Sequence, residues 1–90
     1  MAYWVYMIQS KTDGCRYVGS SEEPHQRLQA HNQGRSRYTK GHRPWVLIYT
    51  ESYSTRAEAV HRERVLKSGV GRRWLDQELK RTGEGQIIAR

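Results

Sequence analysis

The chain contains a single cysteine, no apolar run long enough to cross a bilayer, and only nine Asp and Glu against sixteen Lys and Arg. Cys15 alone closes no intramolecular disulfide and has no thiol neighbour with which to hold a metal cluster, which fits a reducing compartment. Packing in a β-hairpin strand is a plainer role for it than a catalytic thiol. A membrane span needs about eighteen consecutive apolar residues, and neither that nor a basic stretch followed by an apolar signal run is present. The expectation is a soluble, cytoplasmic protein. Internal repeats, low-complexity stretches and linkers are absent too. Ninety residues cannot divide their apolar side chains between two stable cores. One domain is therefore expected over residues 1–81, with 82–90 as a flexible tail or an edge segment.

What is abundant is positive charge. A formal net charge of +7 and a pI near 10.0 favour a polyanionic partner, nucleic acid foremost, although basic composition also serves solubility. Nothing in the pattern asks for an obligate oligomer, so a monomer is expected.

Residues 2–10 are aromatic and β-branched without a breaker and read as a strand. Lys11-Thr12-Asp13-Gly14 supplies a turn, and Cys15 to Gly19 returns as the second arm of a hairpin. Trp4, Tyr6 and Ile8 share one face of the first arm, and Tyr3, Val5 and Met7 the other, so both faces should be covered. Ser20 to Pro24 combines capping hydroxyls, acids and a proline, which predicts a helix to about Gln33, stopped by Gly34. Its apolar content is thin, with little beyond Leu28 and Ala30. Arg35 to Arg43 reads as a basic loop, and Trp45 to Tyr49 as a central strand buried on both faces. Ser54-Thr55 with Glu58 forms a capping box opening a helix through about Ser68. A shorter helix over Gly71–Arg81 should turn Trp74, Leu75 and Leu79 inward.

Five residues carry chemistry. On a helical wheel at about 100° per residue, Glu63 falls within roughly 60° of Ala59, Val60, Leu66 and Val70. A carboxylate on that side must be paired, hold a metal, or sit at a cleft edge. An ion pair with Arg27 or another base would satisfy it equally. Arg27 and His31 lie one helical turn apart and offer a fixed cation beside a titratable group. A solvated helix face is the plain alternative. Tyr6 and Tyr17 stand in the two hairpin arms, where aromatics usually serve packing. No one feature is specific, but their order and spacing together are.

Taken in order, these residues resemble the GIY-YIG nuclease family over Tyr3 to about Lys80. The likeness is to its short single-domain bacterial members, the Slx1-type structure-selective nucleases and the N-terminal nuclease domain of UvrC. Trp4-Val5-Tyr6 stands at the first signature, with tryptophan replacing glycine, and Tyr17-Val18-Gly19 matches the second. Arg27, His31-Asn32, Pro44-Trp45 and Glu63 follow where the family has its arginine, His-Asn pair, strand entry and metal-binding glutamate. The implied fold is α+β, a three-stranded antiparallel sheet with flanking helices in the order ββαβαα. UvrC carries a lysine directly after its second signature; this chain has Ser20, and Lys40 is the candidate substitute.

The resemblance implies a metal-dependent endonuclease that hydrolyses DNA phosphodiesters and selects strand form, single-stranded or branched, over sequence. One Mg²⁺ or Mn²⁺ would rest chiefly on Glu63, Arg27 would neutralise the phosphate, Tyr6 or His31 would accept the proton of water, and Tyr17 would orient the reactants. All five side chains should then line one cleft. A phenol is a poor base at its free pKa of about 10, which makes that step the most demanding. Arg35, Arg37, Lys40, Arg43, Lys67, Arg72 and Arg73 are candidate contacts to the DNA backbone, or else solvated surface charges. A non-catalytic nucleic-acid-binding module, or a subunit of a DNA repair complex, is the alternative reading.

Overall fold

In the computed structural model, residues 2–81 and 87–88 are described. The elements are β1 (Tyr3–Ser10), β2 (Arg16–Ser21), α1 (Pro24–Asn32), α2 (Arg37–Lys40), β3 (Trp45–Tyr53), α3 (Arg56–Lys67), α4 (Gly69–Arg81) and β4 (Ile87–Ile88). The sheet order is β2-β1-β3-β4; the first three strands are antiparallel, as expected, and β4 runs parallel beside β3. Apart from β4, the tail expected over 82–90 lies outside the described residues.

The central strand of the antiparallel trio is β1, not the apolar run of β3. Its two faces are both apolar and it buries both while pairing on both edges, as β3 does between β1 and β4. On one face Val5, Met7 and Val18 pack with Ala59 and Leu66 of α3 and Leu75 of α4, with Trp74 and Leu79 against them. On the other, Tyr6, Ile8 and Trp45 meet Leu28 of α1 and Tyr17. Burying each such side chain stabilises by about 1.5–3 kcal/mol, so the two helical layers hold the sheet from both sides. β3 runs past Tyr49 to Tyr53 because Thr50 to Tyr53 continue the ladder with Tyr3 to Tyr6.

The turn is wider than a two-residue Asp-Gly hairpin. Gly14 takes φ +79°, and the Ser10 hydroxyl accepts the amide hydrogens of Thr12 at 3.0 Å and Asp13 at 3.2 Å. The stretch expected as a basic loop contains α2, a helix too short to be stable alone. Tertiary bonds hold it: the Thr39 hydroxyl meets His31, and the Trp45 indole N–H donates to the Thr39 carbonyl at 2.8 Å. The thinly apolar α1 is docked in the same way. Asn32 accepts from the Trp45 amide at 2.6 Å and donates to its carbonyl at 3.1 Å.

The Thr55–Glu58 capping box is present in both directions, at 3.2 Å each. Because α3 stops at Lys67, Val70 does not share the apolar side of that helix and is 77% exposed. Gly71 lies inside α4 and does not start it. A Cβ there would come within 1.9 Å of the Val65 carbonyl oxygen, so glycine is what lets α4 close on α3.

Candidate active site

The first signature tyrosine and the second signature glycine face each other across the hairpin. Tyr6 and Gly19 are register partners in β1 and β2, and a Cβ on Gly19 would stand 2.5 Å from the Tyr6 hydroxyl oxygen. Glycine is thus the residue that leaves room for the phenol. Trp4, where the family has glycine, sits in regular extended backbone, and no non-glycine residue among those described has a positive φ.

Tyr6 is 1% exposed and its hydroxyl lies 3.1 Å from His31 Nε2. His31 Nδ1 lies 2.8 Å from the Thr39 hydroxyl, which itself reaches the Ser36 carbonyl at 3.5 Å. If the Thr39 hydroxyl donates to that carbonyl, its oxygen accepts from Nδ1–H, and the bare Nε2 then accepts the Tyr6 proton. Burial and the neighbouring Arg27 charge hold His31 below its ordinary pKa, so it stays neutral. Burial pushes the Tyr6 phenol up, and Arg27 pulls the other way without reversing it. Arg27 itself is exposed.

Tyr17 is the half-buried phenol of the pair. Its ring lies 5.1 Å edge-on from His31, and the Lys67 ammonium stands 5.5 Å over its centroid. Glu63 accepts the Ser20 hydroxyl on Oε1 and the Lys67 ammonium on Oε2, each at 2.8 Å. The four residues Tyr6, Tyr17, Arg27 and His31 gather on the α1 side of the sheet. Glu63 comes from α3 on the opposite face and connects to them through Ser20 of β2 and through Lys67, whose ammonium stands over Tyr17. Of the five side chains expected to line one cleft, Tyr17 alone lines the groove beside it. Its charge is near enough to contribute to the raised pKa of Tyr6.

The cation set against Glu63 and Tyr17 is Lys67, one helical turn after Glu63, in place of the anticipated Lys40. Lys40 packs by Gly34 and offers its carbonyl to Arg43. Arg35, Arg37, Lys40, Arg43, Lys67, Arg72 and Arg73 are all exposed. A groove of about 630 Å³ opens beside Tyr17, lined also by Arg16, Tyr38, Lys67, Arg72 and Asp76.

Two groupings escaped the sequence reading. Glu51 is fully buried and accepts from Tyr49 at 2.5 Å, Tyr53 at 2.6 Å, and Arg62 at 2.8 and 3.0 Å. Burial alone would raise its pKa, but these donors outweigh burial and hold it low. The Tyr-x-Glu-x-Tyr alternation in β3 was the available signal. Asp13, Cys15 and His42 place a carboxylate, a thiol and an imidazole within 4.8 Å of one another. There Asp13 accepts the Cys15 amide and pairs with His42 at 2.6 Å, which ties the hairpin turn to the loop before β3.

A family model described as the GIY-YIG catalytic domain matches residues 2–75. The chain is 37% identical over 68 residues to UPF0213 proteins of Staphylococcus aureus strains COL and MW2, an overlap of 74% of this chain and 82% of each relative. Among solved structures it resembles the UPF0213 protein BH0048 from Bacillus halodurans, with a TM-score of 0.52 and 29% identity over 86% of this chain and 84% of that one. No helix among the described residues is long and apolar enough to cross a membrane.

Proposed function

The chain belongs to the GIY-YIG nuclease family, and from that premise we propose that it is an endonuclease hydrolysing DNA phosphodiesters with one divalent cation, choosing substrates by strand form. The observation that carries this reading is the meeting of both layers at the edge of β2. There Tyr17 and Lys67 line one open groove, Lys67 pairs with the half-buried Glu63, and the exposed Arg27 neighbours Tyr6.

Glu63 fits a Mg²⁺ or Mn²⁺ ion. Its oxygens are hard donors, and one of them already faces a positive charge, the Lys67 ammonium, whose side chain is 47% exposed and able to swing away. Such an ion supplies polarisation of the phosphate and stabilisation of the leaving oxygen. Arg27 neutralises the charge that develops on the phosphoryl oxygens, a stabilisation that grows toward the transition state.

The proton of water is better given to the Tyr17 oxygen, acting as its phenolate and becoming the phenol, than to Tyr6 or His31. Tyr6 and His31 are sealed from solvent and bonded to each other, whereas Tyr17 borders the groove. Tyr6 and His31 then act as a buried brace: the imidazole fixes the Tyr6 phenol, and its edge supports the Tyr17 ring. A rate that climbs with pH in wild type, and no longer does so in Tyr17→Phe, is the expected signature.

One observation favours a second reading. Lys67 occupies a Glu63 oxygen, and a lysine that never yields would leave a nucleic-acid-binding module without turnover. Labelled single-stranded, duplex and branched DNA, incubated with the protein in Mg²⁺, Mn²⁺ or EDTA, separates the two. Cleavage abolished by EDTA supports the nuclease, and binding alone supports the module.

A further inference from the structure

An exposed aromatic ring stands beside the groove. Tyr38 is 57% exposed, and among the described residues Val70 is the other large apolar side chain left exposed. A solvated ring gains nothing from the hydrophobic effect, yet this one is held in place. Its centroid lies 5.9 Å from Tyr17 and 5.6 Å from His42. His42 is in turn paired with Asp13 and rests 6.0 Å edge-on from Trp45. The backbone beneath is fixed by its neighbour Thr39, which is fully buried and bonded to His31 and Trp45. The rings form one continuous row from buried Tyr6 through His31 and Tyr17 to exposed Tyr38.

We propose that Tyr38 is a stacking platform for one unpaired nucleobase, seated so that the adjoining phosphate lies at Tyr17 and Lys67. The proposal rests on the nucleic-acid reading above and adds to it a subsite and a reason for strand selectivity. Every base has a π-face, so an aromatic platform accepts any base without reading sequence. In a duplex both faces of each base are already stacked, and only a single strand, flap or branch offers one. The surroundings suit such a strand. Arg35, Arg37, Lys40 and Arg43 flank the ring along the chain, and Lys67 and Arg72 line the groove with it. Aromatic rings set among exposed cations are the arrangement that holds single strands. Because the ring is already braced, little ordering remains to be done on binding.

The test uses the whole chain in EDTA, with fluorescence anisotropy on a single-stranded oligothymidylate and on a duplex of equal length. Tyr38→Ala should weaken single-strand binding about tenfold and change duplex binding less than twofold. Tyr38→Trp should restore single-strand affinity, and its added fluorescence should be quenched by the strand. Equal single-strand affinity of wild type and Tyr38→Ala overturns the proposal, as does an equal loss on both oligonucleotides. Wild type that binds neither oligonucleotide overturns the proposal and the nucleic-acid reading together. Wild type that binds and fails to cleave in Mg²⁺ or Mn²⁺ removes the nuclease reading and leaves the platform to be judged on affinity.

Discussion

Glu51 and Glu63 both pair with α3, and they are held in opposite ways. Glu51, at 0% exposure, accepts from two tyrosine hydroxyls and a bidentate arginine. Glu63 is 20% exposed and accepts from one serine hydroxyl and one exposed lysine. A carboxylate saturated by four donors has no lone pairs to offer a ligand, whereas one held by an exchangeable ammonium can trade it for another cation. Under the proposed function, the contrast separates a structural acid from a metal-holding one more clearly than burial does.

The largest effect that sharpens this contrast is on turnover. Glu63→Ala should lower metal-dependent cleavage by about a thousandfold, with DNA affinity in EDTA near wild type, and Arg27→Ala by about a hundredfold. Equal cleavage by wild type and Glu63→Ala would dissolve the distinction. Glu51→Ala should act on folding instead. Stranding Arg62 against a half-buried wall costs about 3 kcal/mol in chemical denaturation, while the folded fraction cleaves normally.

Gly19→Ala comes next, with a loss of about 1–3 kcal/mol as the new methyl group collides with the Tyr6 phenol. A variant as stable as wild type would mean that the phenol is loosely held. The His31 brace adds a pH signature. Its folded pKa lies below the ordinary value of about 6.5, so as pH falls through that value the unfolded chain takes up a proton the folded chain resists. Stability should therefore rise with pH up to about 6.5 and flatten above. Denaturation midpoints equal at pH 5.5 and 7.5 would contradict the buried neutral imidazole. The smallest effect concerns the surface: neutralising Lys40 or Arg73 should each reduce the slope of log affinity against log salt by about one. An unchanged slope in both would move the footprint elsewhere.

Much of the frame was legible because it depends on local chemistry. Gly34 stops α1 and Thr55 with Glu58 caps α3 through contacts within a few residues, and the two signatures pair because the turn between them is short. What escaped needed tertiary facts. The burial of Tyr6 depends on a register that brings Gly19 opposite it. The four residues of α2 are helical because His31 and Trp45 capture Thr39. The one-turn spacing from Glu63 to Lys67 is legible in the sequence, and it is Lys67, not Lys40, that the structure pairs with that carboxylate.

The exchangeability of Glu63 is the central claim, and Mn²⁺ titration followed by electron paramagnetic resonance addresses it most directly. Wild type, Glu63→Ala and Glu51→Gln would each be titrated in the presence of a non-cleavable phosphorothioate oligonucleotide. Wild type and Glu51→Gln should each hold one Mn²⁺, and Glu63→Ala should hold none. Full binding by Glu63→Ala, or its loss in Glu51→Gln with the fold intact, would contradict the account.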